Sequence, residues 1–196
     1  MNEDLRWINQ ALKGDENAFG ILVEQYQKPV FSLCYRMLGN AKDAEDAAQE
    51  SFIRAYHHLK KFDQTRSFAT WLLSIASHYC IDRMRKRRLE TVSMESIPAE
   101  VITDHKSPNP EKELRASESE ALIQFLLDDL KPIDRAAVVL RYWYEYSEVE
   151  IADTLNLSVS AVKSRLYRSR RTLADAWLSA EKSTSIKRRH HESPAF

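Results

Sequence analysis

Glycine is scarce in this sequence, and its scarcity restricts the possible folds more than any other feature. Only three glycines and six prolines occur among 196 residues. A β-sandwich or β-barrel needs turn residues at short intervals, whereas long helices need very few. Because 43% of the residues are hydrophobic, the chain can also form packed cores. We therefore expect an all-α protein.

Changes in composition divide the chain into four segments. Residues 1–90 have an almost continuous helical pattern and predict one small helical domain. Residues 91–117 contain three prolines and no sustained apolar period, which is typical of a flexible linker. Residues 118–180 predict a second domain of four helices that includes a helix-turn-helix. The polar, basic tail at 181–196 is expected to be disordered.

Charge is balanced overall but uneven along the chain. The totals are 29 basic and 29 acidic residues, so the net charge does not indicate a polyanionic partner. Residues 89–113 hold six acidic residues against two lysines, whereas residues 158–171 hold five basic residues and no acidic one. The local difference favours an acidic linker and a cationic surface in the second domain.

Cysteine usage and hydropathy bear on the location of the protein. Cys34 and Cys80 lie within apolar helical patterns, and the first residues lack the basic and then apolar pattern of a signal peptide. Every apolar run is too short to cross a bilayer. We expect a cytoplasmic protein whose contact with a membrane, if any, is made through a partner.

Catalysis is not indicated by the pattern of reactive residues. The histidines and cysteines lack metal-ligand spacing, and the sequence has neither a glycine-rich phosphate loop nor a nucleophile–base pair. One alternative is a metal or redox site formed by Cys34, His78 and Cys80, but two core cysteines explain the pattern more simply. We expect no enzymatic activity, no cofactor and no metal.

A helix-turn-helix is predicted between residues 147 and 173. Ser147 and Glu150 form a capping-box pattern that starts a short helix. Asn156 and Leu157 follow as the turn, and Ser158 can cap a longer second helix. This order of cap, helix, turn and cap is typical of the motif.

The second helix of this motif has one apolar face and one basic face. At 100° per residue, Val159, Val162, Leu166 and Leu173 share a sector and should face the core. The remaining surface carries hydroxyl groups that permit close approach to bases, arginines that can bind guanine, and cations that suit phosphates. Its residues are Ser160, Lys163, Ser164, Arg165, Tyr167, Arg168, Arg170 and Arg171. The alternative is a solvated basic face on an ordinary helical hairpin.

Residues 43–56 predict an acidic amphipathic helix. Its inward positions are Ala44, Ala48, Phe52 and Ala55, followed by Leu59. The outward positions are Asp46, Gln49, Glu50, Ile53, Arg54 and His57. A charged face with an exposed isoleucine favours protein docking, but a solvated face with one stray apolar residue fits the periodicity equally well.

Aromatic residues precede a dense cation cluster at residues 62–88. Aromatic rings can stack on unpaired bases while cations hold the phosphate backbone. Phe68, Trp71 and Tyr79 are better explained as core residues. This leaves Phe62, the loop 63–67 and His78 as candidates for contact with bases.

Taken in order, these segments resemble the extracytoplasmic-function (ECF) subfamily of sigma-70 type RNA polymerase sigma factors. Five stretches carry the resemblance, at residues 13–19, 35–40, 44–52, 68–72 and 160–168. Each is a weak match alone, but five in register are specific. The resemblance covers nearly the whole chain apart from the linker and the tail.

This resemblance implies an alternative sigma factor that directs core RNA polymerase to promoters, in a stress or envelope response. It implies docking on the clamp helices of the largest subunit through Asp43, Asp46, Gln49, Glu50, Ile53 and Arg54, and contact with the flap of the second-largest subunit. It also implies an inhibitory anti-sigma factor as a partner, and a linker that follows the nucleic-acid channels of the polymerase.

The resemblance also assigns the two DNA elements. The minus-ten element would be bound by Phe62, Asp63, Gln64, Arg66, Ser67, Ser74, His78, Arg83, Arg85 and Lys86. The minus-thirty-five element would be bound in the major groove by Ser160, Lys163, Ser164, Arg165, Tyr167, Arg168 and Arg171. Some family members have asparagine at the position of His78, so we expect an altered base preference there. A stand-alone helix-turn-helix regulator is the alternative, but it leaves the first domain without a function.

Overall fold

Helices form all the regular structure in the described residues. The computed structural model describes residues 3–93 and 110–191. The elements are α1 (Glu3–Leu12), α2 (Glu16–Leu38), α3 (Ala41–His58), a 3-10 turn (Leu59–Lys61), α4 (Phe68–Ser93), α5 (Pro110–Asp128), α6 (Pro132–Trp143), α7 (Glu148–Leu155) and α8 (Val159–His191). The all-α fold expected from the scarcity of glycine is confirmed.

Local signals define the ends of the long helix α2. Its N-cap is Asp15, whose carboxylate accepts hydrogen bonds from the amides of Asn17 and Ala18 at 3.0 and 3.3 Å. It ends at Gly39, which has φ of 81°. Glycine is favoured there because a side chain is strained in the left-handed region. Asn40 then caps α3 by accepting from the amide of Asp43 at 2.8 Å.

Helices α1 to α4 enclose the core of the first domain, in which α2 packs against the other three. The inward face predicted for α3 is buried, from Ala44 through Phe52 to Leu59. Across from it, α2 contributes Leu22, Leu33 and Met37, all at most 1% exposed. Apolar residues spaced at helical intervals thus account for the packing of this domain.

The second domain is built around α6, which contacts both α7 and α8. Pro132 occupies the first turn of α6, where a missing amide hydrogen costs nothing. Residues 135–140 of this helix are all buried. The second domain also lies against the first, because α6 and α7 both contact α4 and α6 contacts α2.

Two boundaries differ from the sequence-based expectation. Helix α8 continues to His191, although disorder was expected from residue 181 onward. No glycine or proline occurs between 181 and 191, so the sequence offers nothing that terminates the helix there. Helices also extend into both ends of the expected linker, to Ser93 and from Pro110. Residues 94–109 of that linker and 192–196 of the tail lie outside the described residues.

None of the helices in the described ranges combines the length and apolar character that a membrane span requires.

Candidate nucleic-acid interface

The predicted helix-turn-helix is present as α7, a short turn and α8. The Ser147 hydroxyl accepts from the Glu150 amide at 3.2 Å, and the Glu150 carboxylate accepts from the Ser147 amide at 2.8 Å. These bonds with Ser147 lower the pKa of Glu150. The turn places Asn156 in the left-handed region with φ of 54°, and the amide of Leu157 then bonds to the Ala152 carbonyl. Ser158 caps α8 by accepting from the amide of Ala161 at 3.2 Å.

The two faces predicted for α8 are separated in the structure. Val162 and Leu166 are buried, and Val159 and Leu173 are partly buried against the same core. On the opposite face, six of the predicted DNA-contacting residues are exposed: Ser160, Lys163, Ser164, Tyr167, Arg168 and Arg171. An exposed row of hydroxyls, a tyrosine and cations is suited to the major groove.

Arg165 differs from the other residues of this surface. Its Nη1 atom donates to Oδ1 of Asp134 in α6 at 2.6 Å, and its side chain is 26% exposed. Asp134 is only 13% exposed, so the pair is largely removed from solvent. Arg165 therefore holds α8 on α6, and its guanidinium is already engaged before any DNA arrives.

The loop before α4 contains one residue that does not fit its predicted role. Phe62 is 8% exposed and packs against Phe68 and Trp71, with ring centroids 5.6 and 5.0 Å apart. Its burial argues against stacking on a base in this conformation. The prediction that Phe68 is a core residue is confirmed. Phe62 belongs to the same buried aromatic cluster.

The rest of this loop, residues 63–67, is exposed and held in shape by its own polar groups. The carboxylate of Asp63 accepts from the amide and hydroxyl of Thr65 at 3.0 and 2.7 Å. These two hydrogen bonds lower the pKa of Asp63. Gln64 donates to Asn9 of α1 at 3.1 Å, and Arg66 forms an ion pair with Asp153 of α7. A preformed loop of this kind can present Ser67 and its neighbours to a single strand.

His78 is exposed on α4, and the geometry indicates which of its two ring nitrogens carries the hydrogen. Nδ1 lies 2.8 Å from the carbonyl oxygen of Ser74. Because a carbonyl only accepts hydrogen bonds, Nδ1 carries the hydrogen and Nε2 is left for a base. Ser74 is partly buried and donates its hydroxyl hydrogen to the carbonyl of Thr154 at 2.9 Å.

The cationic end of α4 is linked to the acidic helix α3. Arg83 Nη2 lies 2.7 Å from Asp43 Oδ1. Its hydrogen bond with Tyr79 and its proximity to Asp43 raise the pKa of Arg83. Arg85 and Lys86 are exposed, and Arg85 lies 3.8 Å from Asp82. Asp43 was predicted to contact the polymerase and Arg83 to contact the minus-ten DNA. In the structure these two residues form an ion pair with each other.

The outer face of α3 exposes several of the residues that were predicted to dock on a partner. Asp46 and Gln49 are exposed, and Ile53 is 44% exposed. Arg54 bonds to Glu50 at 2.7 Å, and its guanidinium lies 4.7 Å from the ring centroid of Tyr79. Arg54 already has two partners on its own domain, so Asp46, Gln49 and Ile53 are the more available side chains of this predicted surface.

An apolar groove lies beside this face, between α2 and α3, and its cavity volume is about 910 Å³. Its α2 wall includes Phe19, Val23 and Phe31, and its α3 wall includes Phe52 and Ile53. The α2 wall was not predicted from the sequence. Its signal is the pair Phe19 and Val23, which are four residues apart and therefore neighbours on one face of α2.

The cysteines and His78 do not assemble into one site. Cys34 and Cys80 are fully buried, whereas His78 is exposed. A hydrogen bond with Cys34, together with burial, raises the pKa of the Cys80 thiol, which stays neutral. Both are therefore core residues.

Known proteins are similar to this chain in sequence and in fold. Residues 22–90 match the family described as Sigma-70 region 2, and residues 120–173 match Sigma-70 region 4. The chain is 39% identical to the ECF RNA polymerase sigma factor SigW of Bacillus subtilis (strain 168) over an alignment of 174 residues that covers 85% of this chain and 92% of that protein. It is 31% identical to the RNA polymerase sigma-H factor of Pseudomonas aeruginosa over 180 residues, covering 89% of this chain and 93% of that one.

Solved structures are also similar to this chain. CnrH in complex with the cytosolic domain of CnrY aligns with a TM-score of 0.66 and 29% identity, covering 91% of this chain and 99% of that chain. RpoE from Bartonella quintana, in complex with the anti-sigma factor NepR, aligns with a TM-score of 0.64 and 19% identity. The alignment covers 81% of this chain and 96% of that chain, and at this identity it shows a similarity of fold alone. With both sigma-70 regions matched and relatives aligned over most of their length, the chain belongs to the extracytoplasmic-function subfamily of sigma-70 type RNA polymerase sigma factors.

Proposed function

We propose that this alternative sigma factor starts transcription through three surfaces, of which one docks on core RNA polymerase and two read promoter DNA. As a sigma factor it is a transcription initiation factor and not an enzyme. The observation that carries the proposal is the exposed row of DNA-binding side chains on α8, opposite a buried apolar stripe.

The minus-thirty-five element is read by α8. Ser160, Ser164 and Arg168 are exposed and can contact base edges, while Lys163 and Arg171 lie beside them to hold phosphates. Arg165 stabilises the position of the helix through Asp134. Because the phosphate contacts of Lys163 and Arg171 release counterions, binding of α8 to DNA will weaken steeply as salt is added.

The minus-ten element is read by the loop 63–67 and the exposed face of α4. Asp63, Gln64, Arg66 and Ser67 supply polar contacts, with His78 on the helix that follows. Farther along α4, Arg83, Arg85 and Lys86 supply positive charge for the backbone of the strand. Phe62 supports the loop from the core and does not contact the base.

Core polymerase docks on α3 and the groove beside it. Asp46 and Gln49 provide polar contacts around the half-exposed Ile53, and the groove offers Phe19 and Val23 to an apolar side chain. An apolar patch inside a charged rim is the usual composition of a protein interface. The clamp helices of the largest subunit are the proposed partner at this surface, and the flap of the second-largest subunit is the proposed partner of the second domain.

An inhibitory protein partner and a cytoplasmic location follow from this function. CnrH, with 29% identity, was solved with the cytosolic domain of CnrY. We extend the binding of a protein partner to the present chain and expect that this partner is a cognate anti-sigma factor. Because the polymerase is cytoplasmic, the protein must act there.

Reconstitution with core polymerase tests the proposal. The chain should co-purify with core polymerase and support run-off transcription from a promoter whose start site is mapped after overexpression. Asp46→Ala should weaken co-purification, and Arg168→Ala should reduce transcription while leaving co-purification intact. A stand-alone regulator would instead bind duplex DNA by itself and give no run-off product.

A further inference from the structure

Gln64, in the loop proposed to read the minus-ten element, is bonded to the first helix of the chain. Its Nε2 atom donates to Oδ1 of Asn9 in α1 at 3.1 Å. Both side chains are exposed, so the pair lies at the surface, where a base can reach it. Asn9 has been given no task so far, although it touches a residue that is expected to contact DNA.

Helix α1 holds Asn9 in a fixed position. Ile8, the residue before Asn9, is fully buried in the core of the first domain. At the start of the helix, the carboxylate of Asp4 accepts from the hydroxyl of Tyr26 in α2 at 2.7 Å. Burial and the bond with Asp4 raise the pKa of Tyr26, so its hydroxyl remains a donor. Apolar and polar contacts thus attach α1 to α2, and Asn9 is a firm anchor.

The backbone that carries Gln64 is also held in place. Phe62, two residues earlier, is buried in the aromatic cluster. The Asp63 carboxylate accepts from the amide of Thr65 at 3.0 Å, and the Asp63 carbonyl accepts from the amide of Arg66 at 3.0 Å. These bonds close a turn with Gln64 at its tip. With both the turn and α1 fixed, the bond to Asn9 sets the orientation of the Gln64 side-chain amide.

The two ends of a glutamine amide have opposite hydrogen-bonding roles. Oε1 only accepts, and Nε2 only donates, through two hydrogens. A rotation of the amide by about 180° exchanges the two ends with little change in shape. In this structure one Nε2 hydrogen of Gln64 is directed to Asn9. Oε1 and the other Nε2 hydrogen are therefore presented to a base in one defined order.

This order matters because the four bases fall into two classes. Adenine and cytosine carry an amino group, which donates, where guanine and thymine carry a carbonyl oxygen, which accepts. An amide in one orientation complements one class, and the reversed amide complements the other. A base of the wrong class leaves a polar group without a partner, which costs binding free energy. A fixed amide therefore discriminates between the classes, whereas a freely rotating one adapts to both.

We propose that Asn9 is a positioning residue for promoter recognition, which fixes the Gln64 amide and so sets the choice between amino and carbonyl bases at one minus-ten position. This role deepens the function proposed above for residues 63–67 and rests on it. Asn9 lies outside the stretch that matches Sigma-70 region 2, which begins at residue 22. The first helix thus adds to base selection from outside the matched region.

Two substitutions of Asn9 separate positioning from a purely structural role. Asn9→Ala removes the acceptor, and α1 should stay folded because alanine is favourable in helices. Asn9→Asp keeps an oxygen, and since a carboxylate only accepts, Gln64 must still donate to it. Gln64→Ala removes the amide that reads the base. The control is Asn17→Ala, which makes the first change at an exposed position of α2.

Base choice is measured by run-off transcription with core polymerase from promoters randomised at single minus-ten positions. In Asn9→Ala, the ratio of amino to carbonyl bases at one position should move towards equality by about twofold to tenfold, the range for one hydrogen bond. Gln64→Ala should lose the preference at the same position. Asn9→Asp and Asn17→Ala should keep the wild-type ratio. The added charge of Asn9→Asp repels every promoter alike and cancels in this ratio.

Nuclear magnetic resonance of the full chain tests the contact itself without DNA. The side-chain amide of Gln64 should have a high order parameter in the wild type and in Asn9→Asp, and a lower one in Asn9→Ala. The side-chain amide of Gln49, which is exposed on α3, should be unchanged in all of these variants.

An unchanged order parameter of Gln64 in Asn9→Ala refutes the contact. An unchanged base ratio in Asn9→Ala, or an equal loss in Asn9→Asp, refutes the positioning role. A change at a position that Gln64→Ala does not affect refutes the route through Gln64. Absent run-off transcription by the wild type refutes the proposed function and with it the base choice, whereas the resonance experiment still decides the contact.

Discussion

The Nη1 atom of Arg165 lies 2.6 Å from Oδ1 of Asp134, so a cation of the proposed DNA-reading helix is bonded to the neighbouring helix α6. Arg168, one turn farther along α8, is exposed and does not share this bond. The two arginines therefore have different tasks, although both belong to the same basic segment of the sequence. One holds the helix in place, and the other is available to DNA.

Arg168→Ala and Arg165→Ala should separate these tasks. Arg168→Ala should weaken binding to a minus-thirty-five duplex by about 1–3 kcal/mol at each salt concentration, because it removes a contact with base edges. Arg165→Ala should lower the free energy of unfolding by about 1 kcal/mol, since it breaks a partly buried pair. Fluorescence titration over a range of salt and urea denaturation measure the two effects. An equal loss of stability in both variants would contradict this division.

Asp43 lies at the start of α3, the helix proposed to dock on core polymerase. Asp43→Ala should nevertheless act mainly by changing the position of Arg83. Asp43 is bonded to Arg83 at 2.7 Å, whereas Asp46 is exposed on the same helix. We expect Asp46→Ala to weaken binding to core polymerase more than Asp43→Ala does. We also expect Asp43→Ala to cost about 1 kcal/mol of stability. Surface plasmon resonance with immobilised core enzyme provides the comparison, and the reverse ranking would show that Asp43 contacts the polymerase directly.

The capping box should make the stability of the second domain depend on pH. Bonds with Ser147 lower the pKa of Glu150 below its ordinary value of 4.5. A lowered pKa in the folded state means that the stabilisation is present above 4.5 and is lost as the pH falls through the folded value. Between about pH 6 and pH 3 the wild type should lose more stability than Glu150→Gln, which keeps an acceptor oxygen but does not titrate. Urea denaturation at the two pH values measures this, and parallel losses would contradict the assignment.

Glu145→Gly should stabilise the chain. Glu145 lies between α6 and α7 with φ of 56°, in the left-handed region that strains a residue with a side chain. Removing the side chain should relieve this strain by about 1 kcal/mol. The matched control is Glu148→Gly, in the first turn of α7, which should destabilise because glycine is unfavourable in helices. Thermal denaturation of the two variants should give shifts of opposite sign.

Features specified by neighbouring residues were predictable from the sequence. The capping box of Ser147 and Glu150, and the burial of Val162 and Leu166, depend on spacings within one or two helices. These local rules were sufficient for the all-α fold and the helix-turn-helix.

Contacts between helices that are distant in the chain could not be predicted from local spacing. Asp134 and Arg165 are far apart in the chain, so their pair could not be inferred from periodicity. The burial of Phe62 depends on Phe68 and Trp71 across a turn, and the contact of Arg66 with Asp153 joins two domains. In each case a local pattern shows that a side chain is polar or aromatic, but only the tertiary structure shows its partner.

His78→Asn should change the base preferred at the minus-ten element. The Nδ1 hydrogen of His78 is directed to the Ser74 carbonyl at 2.8 Å, so neutral His78 presents Nε2 to a base as an acceptor. Asparagine presents both a donor and an acceptor, the combination that pairs with the N7 and amino group of adenine. Run-off transcription from promoters randomised at single minus-ten positions should show adenine gaining at one position in His78→Asn. His58→Asn, at the exposed end of α3, is the control and should keep the wild-type preference. If His78→Asn also keeps it, His78 does not contact the base.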